Sequence, residues 1–266
     1  MILEKIQLDD EAYLEVYAAD KVGDYVRNAI LVIPGGGYGC VCADREGEPI
    51  ALAFIPHGYN AFVLHYSVGG KRTFPTQLIQ ASMAMKYIKD NAGKYNINPD
   101  RVFVTGFSAG GHLAGSLGTM WHKQEIYDAV DMPYAYNKPA GMILVYPVIT
   151  GLYDWAHQGS FINLLGTEKP DREQLKATSL EENVDERSVP LYLVHTSNDQ
   201  MVNIRHALYM ANAYAEAGLT FEMHVYPDAP HGVALGNAIT KCGVEKHDNP
   251  AIAKWVENAV AWAKSV

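Results

Sequence analysis

Short apolar runs alternate with amphipathic stretches along most of the 266 residues. "EAYLEVYAAD" (residues 11–20) and "AILVIP" (29–34) read as early strands, the second nearly all apolar, as a strand buried on both faces should be. "PIALAFIPHG" (49–58) reads as a helix and "NAFVLHYSV" (60–68) as the next strand. In "PTQLIQASMAMKYIKDNAG" (75–93), Leu78, Ala81, Met85 and Ile88 recur at helical spacing, with Gly93 as the stop. "RVFVTG", "AGMILVYPV", "PLYLVHT" and "FEMHVYP" follow, each apolar and strand-length. The third leads into a helix with Ile204, Ala207, Leu208, Ala211 and Ala215 on one face. A last helix aligns Ile252, Trp255, Val256, Ala259 and Trp262 as a core stripe.

Strands alternating with helices predict a single α/β domain over residues 1–266, with a mostly parallel sheet and helices on both faces. Chemistry in such sheets gathers at the carboxyl ends of the strands. Residues 151–188 break the alternation and read as an insertion or cap over that end, or equally as a surface excursion.

Composition narrows the picture. With 48% hydrophobic and 19% charged residues the chain reads as an ordinary globular protein. A net charge of −9 without any Lys/Arg-rich run argues against a nucleic-acid or anionic-membrane partner. The opening residues show no signal-peptide pattern, and no apolar stretch approaches the roughly 18 residues needed to cross a bilayer. Together with the three sparse cysteines (Cys40, Cys42, Cys242), this predicts a cytoplasmic protein without a disulfide framework. No Cys/His spacing completes a metal site.

The chemistry concentrates at "VTGFSAGG" (104–111), a G-x-S-x-G pattern where a strand hands over to a helix. A serine on a sharp strand–helix turn has its oxygen exposed, and the next N–H lies at a helix start. Gly106 and Gly110 leave room for such a turn, which predicts Ser108 as nucleophile and the Ala109 N–H as an oxyanion donor. Gly111, Ala114 and Gly115 would let the helix press against the sheet. "VIPGGGYGC" (32–40) matches no phosphate-binding loop, so Gly36 and Gly37 are expected as further oxyanion donors, with Gly35 shaping the turn. A bare structural loop is the alternative there. Downstream, Asp199 follows a strand in "LYLVHTSNDQMV" and His231 lies in the loop of "MHVYPDAPHGVA". The order Ser, Asp, His is that of a hydrolase triad, with Asp228 as the competing acid. His112 and His195 read as packed core histidines, and His57 and His206 belong to no constellation.

At these residues the sequence resembles the α/β-hydrolase superfamily, and within it the acetyl-esterase/acetylxylan-esterase-like carbohydrate esterases, over essentially the whole chain. The resemblance rests on "PGGGY", "REGEPIALAFIPHGYNAFVLHYSV", "GFSAGGHLA", "FINLLG", "HTSNDQMV" and "YPDAPHG". Hormone-sensitive-lipase-like relatives usually carry "HGGG" and "GDSAGG". Pro34 and Phe107 stand in place of that histidine and aspartate, which points away from that branch. The resemblance implies an α/β-hydrolase fold and cofactor-free removal of small acyl groups, often acetyl groups on plant-polysaccharide sugars. Carried over, Ser108 is the nucleophile, His231 the base and then acid, and Asp199 its orienter. Arg45 and Glu46 follow the glycine loop and either line or brace the site, or simply open a surface helix. Tyr38, Trp155 and Phe161 could offer aromatic faces to a sugar, or equally be core. The substrate expected is a small or oligosaccharide ester. The rivals are a small-molecule carboxylesterase or an amide- or formamide-cleaving hydrolase with the same triad, and a non-catalytic binding protein on the same fold.

Overall fold

Eight strands form one sheet among the residues described in the computed structural model, which are 1–70 and 72–266. They are β1 (Ile2–Gln7), β2 (Tyr13–Ala18), β3 (Arg27–Ile33), β4 (Tyr59–His65), β5 (Ile97–Phe107), β6 (Met142–Val145), β7 (Leu191–Thr196) and β8 (Phe221–Tyr226). Their spatial order is β1-β2-β4-β3-β5-β6-β7-β8. Strand β2 pairs antiparallel with both β1 and β4, whereas β3 pairs in parallel with β4 and β5, and β5 through β8 pair in parallel in succession.

Helices cover both faces, so β3, β4 and β6 are apolar along nearly their whole length. On one face Leu31, Val104, Leu144 and Leu193 pack with helices Thr76–Asp90, Ser108–Met120 and Arg205–Glu216. On the other, Ile30, Phe103 and Tyr192 meet helices Glu48–Phe54 and Trp255–Ala263. Strand β2 alternates half-buried and buried positions because it stands near the sheet edge.

Several elements differ from expectation. The N-terminal strand β1 was not foreseen: its Ile2, Lys5 and Gln7 positions carry a mixed pattern, and it is held mainly by its ladder to β2. The helix from Thr76 ends at Asp90 with Asn91 as its cap, and Gly93 falls inside the following single turn Ala92–Tyr95. On helix Arg205–Glu216 the buried stripe is His206, Ala207, Met210, Ala211 and Tyr214, while Leu208 is 49% exposed. Tyr214 turns that helix inward because its hydroxyl donates to the Val189 carbonyl at 2.7 Å.

Residues 151–188 are largely helical, with helices Gln158–Leu165 and Arg172–Thr178 and a turn at Leu180–Asn183. The first places Phe161 edge-on to His112, and Leu180 lies where a side chain at Gly115 would need to be. Among the described residues no helix is long and apolar enough to cross a membrane.

Candidate active site

Strand β5 runs directly into the helix that begins at Ser108. The turn is tight enough to put Ser108 at φ +54°, a conformation that side chains rarely adopt. Gly110 is required here by close approach, since a β-carbon at that position would lie 2.2 Å from the Ile33 carbonyl oxygen. The helix start is thereby pressed onto the end of β3, where the glycine loop begins.

Three residues from three strand ends converge. The Ser108 hydroxyl donates to His231 Nε2 at 2.9 Å, and His231 Nδ1–H donates to Asp199 Oδ2 at 2.7 Å. Asp199 Oδ1 accepts from the N–H groups of Met201 and Val202 at 2.8 and 2.9 Å. Burial would push the Asp199 carboxyl up. The hydrogen bond and charge of His231, with the two backbone N–H groups, outweigh it and hold the carboxyl below the ordinary value. The competing Asp228 makes no hydrogen bond to the imidazole, and its Oδ1 instead accepts from Asn198 Nδ2 at 2.7 Å.

Facing Ser108, the glycine loop folds through two positive-φ residues, Gly36 (+124°) and Gly37 (+62°). Their N–H groups donate to no protein acceptor among the described residues, and both residues line a cavity of about 300 Å³ with Ser108 and His231. Ala109 is the second residue of its helix, so its N–H also lacks an intrahelical partner. Gly36 cannot be replaced without disturbance, since a β-carbon would lie 2.2 Å from the Cys40 carbonyl oxygen.

Glu46 is buried and braces this loop. Its Oε2 accepts from the Gly35 N–H at 2.8 Å and its Oε1 from the Tyr146 hydroxyl at 2.9 Å. Burial pushes the Glu46 carboxyl up, opposed by those two donors and by the charges of Arg45 and His231. Arg45 lines the cavity, and its buried Nε has no partner among the described residues.

The aromatic residues expected against a sugar lie elsewhere. Tyr38 and Phe161 are each 1% exposed. Tyr38 donates its hydroxyl to His112 Nδ1 at 2.8 Å, and His112 Nε2–H donates to the Thr178 carbonyl at 2.7 Å. Both residues are therefore core, Phe161 within the 151–188 segment and Tyr38 tied to it through His112 and Thr178. Trp155 stacks on Tyr153 at 5.0 Å between centroids and has the Arg205 guanidinium 5.6 Å above its ring, so it too offers no free face toward the cavity.

His157, Met201 and His247 were not legible as site residues. His157 lines the cavity beside Ser108, with Nδ1 paired to Ser160 Oγ at 2.8 Å. Burial, then the charge of His231, holds its imidazole below the usual range. His247 Nε2–H donates to the His231 carbonyl at 3.1 Å. Met201, 59% exposed, rims the cavity two residues after Asp199, a spacing that only the turn around the carboxylate makes meaningful. Cys40 and Cys42 also line the cavity with sulfurs 3.9 Å apart, and burial pushes the Cys42 thiol up to about 12. Among the described residues no group of three or more His, Cys, Asp or Glu side chains is placed to hold a metal ion.

A mostly parallel eight-stranded sheet, with a serine at a strand–helix turn hydrogen-bonded to a histidine–aspartate pair, defines an α/β-hydrolase. The chain belongs to the BD-FAE family, whose model matches residues 14–214. It is 39% identical over 220 residues to an endo-1,4-beta-xylanase B of Butyrivibrio fibrisolvens, covering 80% of this chain and 34% of that protein. An acetylxylan esterase of Xylanibacter ruminicola is 30% identical over 212 residues, covering 78% of this chain and 41% of that protein. The chain thus spans well under half the length of these curated relatives. Among solved structures, the acetyl ester-xyloside bifunctional hydrolase from Caldicellulosiruptor lactoaceticus superposes with a TM-score of 0.84 at 31% identity, covering 98% of this chain and 96% of that one.

Proposed function

We propose that this protein is a serine esterase that removes small acyl groups, acetyl foremost, from carbohydrate esters such as acetylated xylo-oligosaccharides. The observation that carries the reading is the chain from Ser108 through His231 to Asp199, set at a strained turn beside unpartnered backbone N–H groups. The acetyl specificity leans on the Xylanibacter and Caldicellulosiruptor relatives, one named an acetylxylan esterase and the other an acetyl ester-xyloside hydrolase.

In this mechanism His231 takes the Ser108 proton as Oγ attacks the ester carbonyl. The carbonyl oxygen, now negative, is held by the N–H groups of Gly36, Gly37 and Ala109. His231 then gives its proton to the departing sugar oxygen, leaving an acyl-serine. Water enters, His231 removes its proton, and the second tetrahedral species collapses to carboxylic acid as His231 returns that proton to Ser108 Oγ. Asp199 keeps the imidazole in the tautomer with Nε2 unprotonated toward serine and favours the imidazolium that forms in each step.

A glycosidase reading, raised by the xylanase name of one relative, needs two carboxyl groups free to face a sugar. Glu46 and Asp199, the two buried carboxyl groups around Ser108, are each committed on both oxygens to protein donors.

Mass spectrometry of acetylated xylo-oligosaccharides incubated with the protein and with Ser108→Ala tests the proposal. Stepwise acetyl loss with the wild type alone is expected. Turnover of N-acyl compounds in place of O-acyl ones would transfer the same machinery to amide hydrolysis.

A further inference from the structure

Two cavities meet at His231 and Met201, and the mechanism above uses only one of them. The first, with Ser108 and the glycine loop, holds the reacting carbonyl. The second, about 390 Å³, is lined by Asn198, Gln200, Asp228 and Lys246 together with His231 and Met201, and by none of the oxyanion residues.

We infer that this second cavity is the subsite for the sugar alcohol, with Asp228 and Lys246 hydrogen-bonding its hydroxyls; the inference rests on the serine-esterase reading. The direction follows from proton transfer. The carbonyl oxygen of a bound ester must point to Gly36, Gly37 and Ala109, while the departing oxygen must come within reach of His231 Nε2 to receive the proton. The two cavities share His231 and Met201, so an ester with its acyl group in the first and its departing oxygen at His231 Nε2 directs its alcohol toward the second.

Its lining suits hydroxyl groups. Asp228 Oδ1 is shared between Asn198 Nδ2 at 2.7 Å and Lys246 Nζ at 3.5 Å, and Oδ2 has no protein partner among the described residues. Asn198 is fixed in turn, because its Oδ1 accepts from the Ala229 N–H at 3.2 Å. The cavity thus presents a free carboxylate oxygen and an ammonium with donors to spare, which together accept from and donate to neighbouring hydroxyls. One positive and one negative side chain leave the lining with no net charge, which favours a neutral polyhydroxyl ligand over a phosphate or carboxylate. Met201, mostly exposed at the junction, offers an apolar surface to the C–H face of a sugar ring. Asp228 lies three residues before His231 with no hydrogen bond to its imidazole, so its second carboxylate oxygen is open to a ligand.

The test compares kcat/KM for mono-O-acetylated xylose and xylotriose with kcat/KM for 4-nitrophenyl acetate, in the wild type, Asp228→Ala and Lys246→Ala. The saccharide-to-aryl ratio is expected to fall about five- to tenfold in each variant, mainly through KM, as for loss of one or two exposed hydrogen bonds. Because the aryl ester reports on the triad within the same variant, a folding defect cancels in the ratio. An unchanged ratio in both variants overturns the subsite. A wild type that cleaves the aryl ester but no acetylated saccharide removes the carbohydrate substrate, and the subsite falls with it. One that cleaves neither removes the esterase reading itself.

Discussion

The Tyr146 hydroxyl donates to Glu46 Oε1 at 2.9 Å and accepts from the Ala234 N–H at 3.0 Å. Its ring lies edge-on to His231, with 4.9 Å between centroids. Through this pair one buried carboxylate ties together the glycine loop, the end of β6 and the loop that carries His231. Glu46→Gln has one acceptor oxygen where two donors, the Gly35 N–H and the Tyr146 hydroxyl, need one each. A stability loss of about 1–2 kcal/mol is expected from the donor left unmatched. The loosened glycine loop and histidine should lower kcat by about 10- to 100-fold with a smaller change in KM. Thermal melts and Michaelis kinetics on the same preparation check both. An unchanged kcat alongside the lower melting temperature would leave Glu46 a purely structural brace.

Three buried histidines away from the proposed triad are expected to make stability fall in acid. Burial pushes His112 and His195 down to about 4 and His206 to about 3. Below about 6.5 the unfolded chain takes up protons that these folded imidazoles refuse, so stability must fall as pH drops from about 6.5 toward 4. Together they make a loss of several kcal/mol, as an order of magnitude, by the lower end of the window. Urea unfolding at pH 7, 5.5 and 4.5 should show a steep decline, and His112→Gln should flatten it. A decline as steep in His112→Gln as in the wild type would remove His112 from this account.

What was readable in the chain and what was not follow one physical line. Unbroken apolar runs exposed β3, β4, β6 and β7 because both their faces are buried, and the glycine pattern exposed the Ser108 turn because close approach there requires glycine. Strand β1 escaped because an edge strand buries little and so carries little pattern. Leu208 is misjudged by apolar spacing alone, which cannot tell which of two adjacent stripes turns to the core; the buried stripe carries Tyr214, bonded to the Val189 carbonyl. Tyr38 and Phe161 looked like sugar contacts from their place near the motifs, yet whether an aromatic face is open depends on residues far away in sequence, here Thr178 and His112. His157 had no signal at all, since only the packing of the 151–188 segment brings it to Ser108.

That packing gives a test at Tyr38. Its hydroxyl, His112 and the Thr178 carbonyl form one hydrogen-bonded row joining the glycine loop, the Ser108 helix and the 151–188 segment. Tyr38→Phe keeps the ring and leaves His112 Nδ1 buried without a donor, so a cost of about 1–3 kcal/mol in stability is expected. A sugar contact would instead show as a rise in KM for acetylated oligosaccharides with stability intact. Chemical denaturation and saccharide KM, measured together, separate the two roles.

Ser108 itself separates chemistry from strain. Its backbone at φ +54° is a conformation that costs a side-chain-bearing residue of order 1 kcal/mol and glycine far less. Ser108→Ala removes the hydroxyl but keeps the β-carbon and hence the strain. Ser108→Gly removes both. Both variants should lose several orders of magnitude in kcat, since no other hydroxyl or thiol is hydrogen-bonded to His231 Nε2 among the described residues. Their stabilities should differ in a set direction. Ser108→Gly is expected to exceed Ser108→Ala by about 0.5–1 kcal/mol in urea unfolding, a margin reduced by the extra freedom glycine gives the unfolded chain. The opposite order would mean that the turn carries no strain at Ser108, and that its side chain is held in place by its hydrogen bond to His231 and not by a backbone kept under tension.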